Sequence, residues 1–349
     1  MGIPALRVSK KDGERVRGIL YQQGLLDRSY QIADLGTHLE IPIRRVLPES
    51  ILKELEEYSI ELIEMTDPVR REIPPEPFEM IEKSCELEES QKRHLPRKWE
   101  LIGDVLVLKF PDELKGERPK LAELYANVLG AKAVLEDLAG ITGIDRKPEM
   151  EIIYGTKTET VHVENGIKYK LDTMQLMFSS GNISERLRMA ELNCKNEVIA
   201  DMFAGIGYFT LPLAVYTKPA HIYACDINPV AFNYLKANIT NNGVEGIVEP
   251  LLGDCRTTVP EGIADRIVMG NIKPDETFLQ KGLKILKPEG GIIHYHQVCP
   301  TENYPDEPKN RLEDAAGAYN FKVKVLEQIK IKSYAPGISH IVLDARIYT

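Results

Sequence analysis

Cysteine is scarce in this 349-residue chain, and the little there is forms no pattern. Cys85, Cys194, Cys225, Cys255 and Cys299 are odd in number and far apart, with no C-x-x-C pair. This supplies no zinc site and is the usage expected of a reducing cytoplasm. An export signal is missing too, because Met1-Gly2-Ile3-Pro4 leads into Lys10-Lys11-Asp12 with no apolar core behind it, so no export is expected. Val198 to Tyr216 is the one stretch apolar enough to suggest a membrane span. Asp201, two glycines and Pro212 interrupt it, and a buried strand followed by a helix explains it better. Internal repeats and low-complexity tracts are absent. Positive charge is also short: the net charge of −9 argues against a wholly cationic nucleic-acid binder, though a local basic face on an acidic protein can still hold RNA. The remaining composition is that of an ordinary soluble protein, long enough for two or three domains.

The most informative segment is Asp201-Met202-Phe203-Ala204-Gly205-Ile206-Gly207, which closes the strand-like run Val198-Ile199-Ala200. Two glycines let the backbone turn tightly beneath a ligand before a helix begins at about Tyr208. Asp226 ends the next apolar run, where a carboxylate can accept two hydrogen bonds from a ribose diol. Thr210 stands where a dinucleotide fingerprint needs its third glycine. S-adenosylmethionine, which has no pyrophosphate to cradle, therefore fits better than NAD. A bare G-x-G also suits a strand-turn-helix corner whose glycines serve only packing. The paired acid and the strand pattern downstream favour the cofactor site.

Patterning divides the chain into four parts. Residues 1–46 read as a small α/β module, with a helix over Lys10 to Gln22 and a strand over His38 to Ile43. Residues 47–90 are rich in glutamate and carry Pro68, Pro74, Pro75 and Pro77, so an amphipathic helix near Ile51 to Ile63 is expected to run into a semi-rigid linker. Residues 91–165 form a second module, with strands over Asp104 to Phe110, Met150 to Tyr154 and Thr160 to Val163 and a helix over Lys120 to Leu129. Over 166–349 short apolar strands alternate with helices: Val198 to Phe203, His221 to Ile227, Val248 to Gly253, Asp265 to Met269 and Gly291 to Gln297. Phe321 to Ser333 and His340 to Tyr348 are joined by a short turn and so pair antiparallel. Five parallel strands and a terminal antiparallel hairpin make a seven-stranded α/β sheet, the Rossmann-like S-adenosylmethionine-dependent methyltransferase fold. Its ligands collect at the carboxyl ends of the strands, a rim that holds Asp201, Asp226, Asp254 and Gly270.

Other candidates keep two readings. After the third strand, the Asp254 carboxylate and the backbone N–H of Cys255 can hold an adenine edge, or Asp254 is simply a helix cap. Upstream, Met177 to Arg188 reads as a loop entering a helix with Ser184 as N-cap. Arg186 can grip a carboxylate with two prongs and Glu185 can orient or deprotonate a base, or both are solvated charges on a helix start. Lys92-Arg93-His94-Leu95-Pro96-Arg97-Lys98-Trp99 is the densest basic patch, suited to phosphates with a stacking ring, or equally a linker end beside a core tryptophan. His294 and His296 share one strand face, and with Cys299 they lack the further ligands of a metal site. The alternation over Lys324 to Lys332 is that of a half-exposed strand and calls for no functional reading.

The run Phe178-Ser179 to Glu185-Arg186-Leu187-Arg188, then Asp201 to Gly207, then Asp226-Ile227-Asn228-Pro229, resembles the archaeal-type tRNA guanine-37 N1-methyltransferases and the related wybutosine-synthesising protein 2 family. The resemblance spans residues 100 to 349 closely. It implies S-adenosylmethionine as cofactor and tRNA-Phe as partner at position 37 of the anticodon loop. In the second family the group moved is the 3-amino-3-carboxypropyl arm, carried to C7 of 4-demethylwyosine. More loosely, the first 46 residues resemble the small domain that docks the tRNA outer corner in the methyltransferases. Those enzymes end the fourth strand with Asn-Leu-Pro, whereas here Gly270 occupies the asparagine position and Asn271 lies one residue late, pointing to the opposite face. Met269-Gly270, Phe278-Leu279 and His294-Tyr295-His296 are similar to the aminocarboxypropyl transferases instead. Ser180 and Gly181 replace the proline and arginine that follow Phe-Ser in the methyltransferases. By this resemblance Ser179 and Arg186 fix the amino-acid arm and Glu185 and Arg146 lie near the base. Asp201, Phe203, Gly205, Asp226, Asp254 and Cys255 line the nucleoside. The alternatives are the N1-methyltransferase and a tRNA-binding protein that keeps the fold without catalysis.

Overall fold

The computed structural model describes residues 2–44, 47–71, 75–142, 147–272, 275–304 and 306–349. Contacts divide the chain into two units, Met1–Glu79 and Met80–Thr349. The first holds β1 (Ile3–Ser9), α1 (Gly13–Gln22), β2 (Ala33–Asp34), β3 (His38–Pro42), α2 (Glu49–Leu55) and β4 (Glu61–Met65), with the sheet in the order β2-β3-β1-β4. Leu6 and Val8 of β1 share a core with Val16 and Leu20, four apart on α1, and with Ile51 and Leu55, four apart on α2. The helix expected over Ile51 to Ile63 stops at Leu55, and the residues from Glu61 onward become a strand. The open edge of β1 supplies backbone partners from Ile3↔Met65 to Arg7↔Glu61, and Arg7 pairs with Glu61 at 2.9 Å. Tertiary pairing overrides the local helical pattern. The boundary expected after residue 46 thus falls inside the first unit.

In the second unit α3 (Pro77–Ser84) and α4 (Glu89–Lys92) precede β5 (Trp99–Ile102), β6 (Val105–Leu108), α5 (Arg118–Leu129), β7 (Ala133–Thr142) and β8 (Lys147–Tyr154), a sheet of order β5-β6-β7-β8. A hairpin of β9 (Glu159–Glu164) and β10 (Ile167–Asp172) follows. Next come α6 (Ile183–Glu191), β11 (Val198–Asp201), α7 (Thr210–Tyr216), β12 (His221–Asp226), α8 (Pro229–Asn241), β13 (Val248–Leu252), α9 (Cys255–Thr258), β14 (Arg266–Met269), α10 (Glu276–Ile285), β15 (Gly290–Pro300), α11 (Asp306–Gly317), β16 (Lys322–Ala335) and β17 (Ile338–Tyr348). Their sheet runs β13-β12-β11-β14-β15-β17-β16, with parallel pairing up to β15 and antiparallel pairing beyond it. This is the seven-stranded fold expected from the alternation.

Burial on both faces explains why these strands read as unbroken apolar runs. Ile199 packs with Leu211 and Leu235 on the α7/α8 side, while its neighbour Ala200 packs with Leu279 and Leu283 on the α10 side. Parallel register then sets Asp201 beside Ala224 and Val268, and Asp226 beside Leu252, so the strand ends form one rim.

The β9/β10 hairpin is fastened to this sheet by two asparagines one turn apart, Asn238 on α8 and Asn242 at its C-cap. Asn238 Oδ1 accepts from the Lys170 amide (2.7 Å), and its Nδ2 donates to the carbonyls of Lys170 (3.0 Å) and Ile206 (3.1 Å). Asn242 holds Lys168 in the same way, at 2.9 and 2.8 Å. One helical turn matches the spacing of alternate strand residues, so two side-chain amides mimic a neighbouring strand and cover the edge of β10. Asn238 is fully buried and also touches the glycine loop. Asn238→Ala is expected to lower unfolding free energy by about 2–3 kcal/mol in chemical denaturation, because it leaves buried backbone groups unpaired. Asn242→Ala, at a half-exposed position, is expected to lose less than about 1 kcal/mol. Equal losses would refute the assignment of the clamp to Asn238.

Candidate functional site

Gly205 and Gly207 have φ of +59° and +103°, a region that favours glycine. A Cβ on Gly205 would lie 2.8 Å from the Tyr208 ring, and one on Gly207 would lie 2.7 Å from Leu211. The turn is therefore packed closely enough that neither glycine position admits a side chain. Two carboxylates shape it. Asp201, fully buried, accepts from the Phe203 amide (3.2 Å) and the Thr210 hydroxyl (2.7 Å). Thr210 thus stands in the third-glycine position because its hydroxyl anchors the strand-end carboxylate. Asp226 accepts from the Gly205 amide at Oδ2 (2.7 Å) and the Asn228 amide at Oδ1 (2.8 Å). Both bonds aim the carboxylate and leave each oxygen a lone pair for a diol. Asn228 in turn caps α8 through Val230 N (2.9 Å), with Pro229 in the first turn. Phe203 meets Phe278 edge-on at 5.1 Å, and Ile227, 61% exposed, lays apolar surface on the rim. A planar base above a ribose fits this arrangement, so these residues fit the nucleoside of S-adenosylmethionine.

Glu185 and Arg186 are buried in the structure, not solvated at a helix start. The Arg186 guanidinium donates through Nε and Nη2 to Glu164 (2.6 and 2.7 Å) and through Nη1 to the Ser179 carbonyl (2.8 Å), and it lies 4.7 Å from the Phe178 ring centroid. Its two-pronged face, assigned from sequence to a cofactor carboxylate, is filled by Glu164. Arg186 therefore positions the Phe178-Ser179 loop. Tyr208 donates its hydroxyl to the Met177 carbonyl, and its ring packs on Phe178 at 5.7 Å, which joins that loop to the glycine turn. Ser184 is not the N-cap, because a 3₁₀ turn at Ser180–Asn182 starts the helix earlier and moves the cap to Asn182.

Glu185 belongs to a buried chain of charges. Arg188 donates to both its oxygens (2.8 Å each) and to Asp344 (2.6 Å); Asp344 meets His294 Nδ1 at 2.7 Å, and His294 Nε2 lies 2.7 Å from Arg266. A guanidinium can only donate, so His294 accepts at Nε2, carries its proton on Nδ1 and is neutral. Burial lowers the His294 pKa in agreement. Against the pull of burial, His294 and Arg188 hold Asp344 down to about 2, whereas burial raises Glu185. His296 Nε2 stands 3.5 Å from Glu185 Oε1, and its ring lies 5.0 Å from Phe209. A Cβ on Gly270 would come within 3.1 Å of Phe209 Cε2, so the end of β14 is packed by an aromatic ring.

The remaining candidates make these contacts. Asp254 caps α9 through the Arg256 amide (2.9 Å), and Arg256 also grips its carboxylate (2.6 Å) while lying 4.3 Å from the Phe278 ring centroid. The Cys255 side chain is core, its thiol pushed up to about 12 by burial, which leaves only its amide for a base edge. In the basic patch Lys92 pairs with Glu89 (2.8 Å), Arg97 lies 3.8 Å from Glu82, and Trp99 packs edge-on to the buried Tyr125 at 5.9 Å. Arg146 lies outside the described residues. Among those described, no group of three His, Cys, Asp or Glu side chains could hold a metal ion. Sequence reasoning missed Glu164, Arg188, Asp344 and Arg256 because each acts through a partner that the fold supplies. Arg188 and Glu185, three apart, were the one pair open to detection by spacing.

Asp201 offers a test of this geometry by pH. Burial raises its pKa to about 6, above the usual unfolded value of ~3.9. The native state then binds the proton more tightly than the unfolded chain, so stability falls as pH rises from about 4 to about 6, by roughly 3 kcal/mol in all. Asp201→Asn keeps an acceptor for Phe203 and cannot ionise. Relative to wild type, it is expected to gain stability across that window in denaturation at pH 4 and pH 8, and a difference independent of pH would contradict the assignment.

Comparison with known proteins places this geometry. The TRM5/TYW2 methyltransferase domain matches residues 160–326, the TYW2 N-terminal domain residues 79–158, and the tRNA methyltransferase 5 N-terminal domain residues 5–51. The tRNA(Phe) (4-demethylwyosine(37)-C(7)) aminocarboxypropyltransferase of Pyrococcus horikoshii is 45% identical over 265 residues, covering 76% of this chain and 94% of that protein. The tRNA (guanine(37)-N(1))-methyltransferase Trm5b of Pyrococcus abyssi is 35% identical over 348 residues, 98% of each. The crystal structure of P. horikoshii TYW2 in complex with MeSAdo superposes with a TM-score of 0.70 at 42% identity, covering 79% of this chain and 99% of that one. With its sheet order, its glycine turn under Asp226 and its glycine at the end of β14, the chain belongs to the tRNA wybutosine-synthesising protein 2 family of the TRM5/TYW2 enzymes.

Proposed function

We infer that this chain transfers the 3-amino-3-carboxypropyl group of S-adenosylmethionine to C7 of 4-demethylwyosine at position 37 of tRNA-Phe, releasing methylthioadenosine. The observation that carries this reading is the end of β14. The N1-methyltransferases present an asparagine amide to guanine there; here the position is Gly270, and Phe209 fills the space a side chain would need. A sulfonium makes all three attached carbons electrophilic, so the carbon held toward the base decides the product. The protein's part is to position and to exclude water. Gly205 and Asp226 seat the ribose, Phe203 and Phe278 wall the base of the cofactor, and the Arg186–Glu164 pair holds the Phe178-Ser179 loop beside them. Glu185 and Arg146 are assigned to the RNA base, Glu185 as the group that orients it or takes its proton, since burial makes its carboxyl bind a proton more readily.

One observation favours methyl transfer as a second reading. The tRNA methyltransferase 5 N-terminal domain matches residues 5–51, and Trm5b aligns over 98% of the chain. The first unit suits tRNA docking in either case. Arg17, Arg28, Arg70 and Arg71, with Tyr30, line a cleft of about 670 Å³ there, a local basic face on an acidic protein. Among the described residues no helix is long and apolar enough to cross a membrane, and the compartment we infer is the cytoplasm. The reading involves no metal.

Incubation with S-adenosylmethionine and tRNA-Phe bearing 4-demethylwyosine is expected to yield methylthioadenosine and a nucleoside heavier by the aminocarboxypropyl group in mass spectrometry. S-adenosylhomocysteine with a methylated guanosine would establish the second reading instead. Replacing Arg28, Arg70 and Arg71 together by alanine is expected to weaken tRNA binding roughly tenfold or more and flatten its salt dependence, with cofactor affinity unchanged. An unaltered tRNA affinity would remove the docking role.

A further inference from the structure

A buried base that takes a proton needs somewhere to send it, and a pair of histidines begins next to Glu185. Antiparallel pairing of β15 with β17 sets His294 opposite Asp344 and His296 opposite Val342. Alternation then puts His340, two residues before Val342, on the same face beside His296. His296 Nδ1 lies 3.3 Å from His340 Nε2. Its other nitrogen, Nε2, faces Glu185 Oε1 at 3.5 Å and has no hydrogen-bond partner, although the residue is only 1% exposed. A buried nitrogen left in this way is costly, and a role in chemistry is one reason to keep it. The groups around this ring are Glu185 and Arg188 from α6, His340 and Asp344 from β17, His294 on its own strand, and the Phe209 ring at 5.0 Å. Arg188, the cation among them, is bound to Glu185 and Asp344. Burial moves Glu185 up and His296 down, so their proton affinities approach each other.

We propose that His296 and His340 form a relay that draws the C7 proton of the RNA base away from Glu185 during aminocarboxypropyl transfer. The proposal rests on the transfer reading above and adds two residues to it. Ring electrons of the base form the bond from C7 to the γ-carbon of the arm, and the bond from that carbon to sulfur breaks with its electron pair left on sulfur. The positive charge of the sulfonium thereby passes to the ring, and C7 carries both its hydrogen and the new chain. Glu185 accepts that hydrogen as a proton, and the C–H electron pair returns to the ring. Arg188 occupies one lone pair on each Glu185 oxygen, which leaves Oε2 for the base and Oε1 for His296. A proton that stayed on Glu185 would strip Arg188 of a carboxylate in a buried place. His296 therefore takes it at Nε2 and passes the proton on Nδ1 to His340 Nε2, and Glu185 is a carboxylate again. His340 gives the proton to solvent when product leaves. His294 cannot serve in this way, because Arg266 fills its Nε2 with a donor that does not ionise.

The test measures single-turnover transfer by the full chain on tRNA-Phe bearing 4-demethylwyosine with hydrogen or deuterium at C7, alongside titration with S-adenosylmethionine. His296→Gln keeps a side-chain donor and acceptor for Glu185 and His340 but cannot carry a proton through. It is expected to slow transfer roughly tenfold or more with cofactor affinity unchanged. Its isotope effect is expected to exceed that of the unaltered chain, because departure of the C7 proton becomes the slow step. His340→Gln is expected to raise the isotope effect in the same direction and by less, and it carries the test should the first variant lose its fold. A normal rate in both variants would overturn the relay. So would slow transfer with no added sensitivity to deuterium, which is what a packing role alone produces. Failure of the unaltered chain to release methylthioadenosine would instead overturn the transfer reading itself.

Discussion

The hydrogen bond from the Gly205 amide to Asp226 is the link on which the site depends. It joins the turn after β11 to the end of β12, and at 2.7 Å it fixes both a positive-φ glycine and the Asp226 carboxylate. Parallel pairing of β11 and β12 brings these two points together, 21 residues apart in the chain. Asp201 and Thr210 brace the turn from below, and Asn238 braces it from α8 through the Ile206 carbonyl. The glycine turn is thus held by side-chain hydrogen bonds from several elements at once.

Around that loop the protein buries charge in pairs. Arg186 with Glu164, and Glu185 with Arg188, Asp344 and His294, are shut away from solvent with their hydrogen bonds satisfied. Burying a single charge there would be costly, so Glu164 is paired with Arg186 from another element and Glu185 with Arg188 one turn along its own helix.

Local signals were read well where the physics is local. Short apolar runs alternating with helices located the seven strands of the large sheet to within a few residues, since a strand covered on both faces leaves an apolar run in the sequence. Asp226 reads as the end of an apolar run, and its bond to the Asn228 amide closes within two residues. Reading failed where a partner was distant. The strand Glu61–Met65 looked like the end of a helix until β1 offered it an edge. Arg186 looked like a ligand clamp because nothing in its neighbourhood revealed Glu164, 22 residues before it.

By itself, then, the sequence determined the fold class, through its alternating apolar runs and helices, and the glycine turn, through residues next to one another in the chain, and its motifs carried the resemblance to the family. Only the tertiary structure decided what each charged group touches: Arg186 on Glu164, Arg188 on Asp344 156 residues away, Lys332 on Ser179. The reason is that an ion pair has no sequence period. Its partner is whichever residue the packing of sheets and helices brings within about 3 Å, and that distance exists only after the chain has folded.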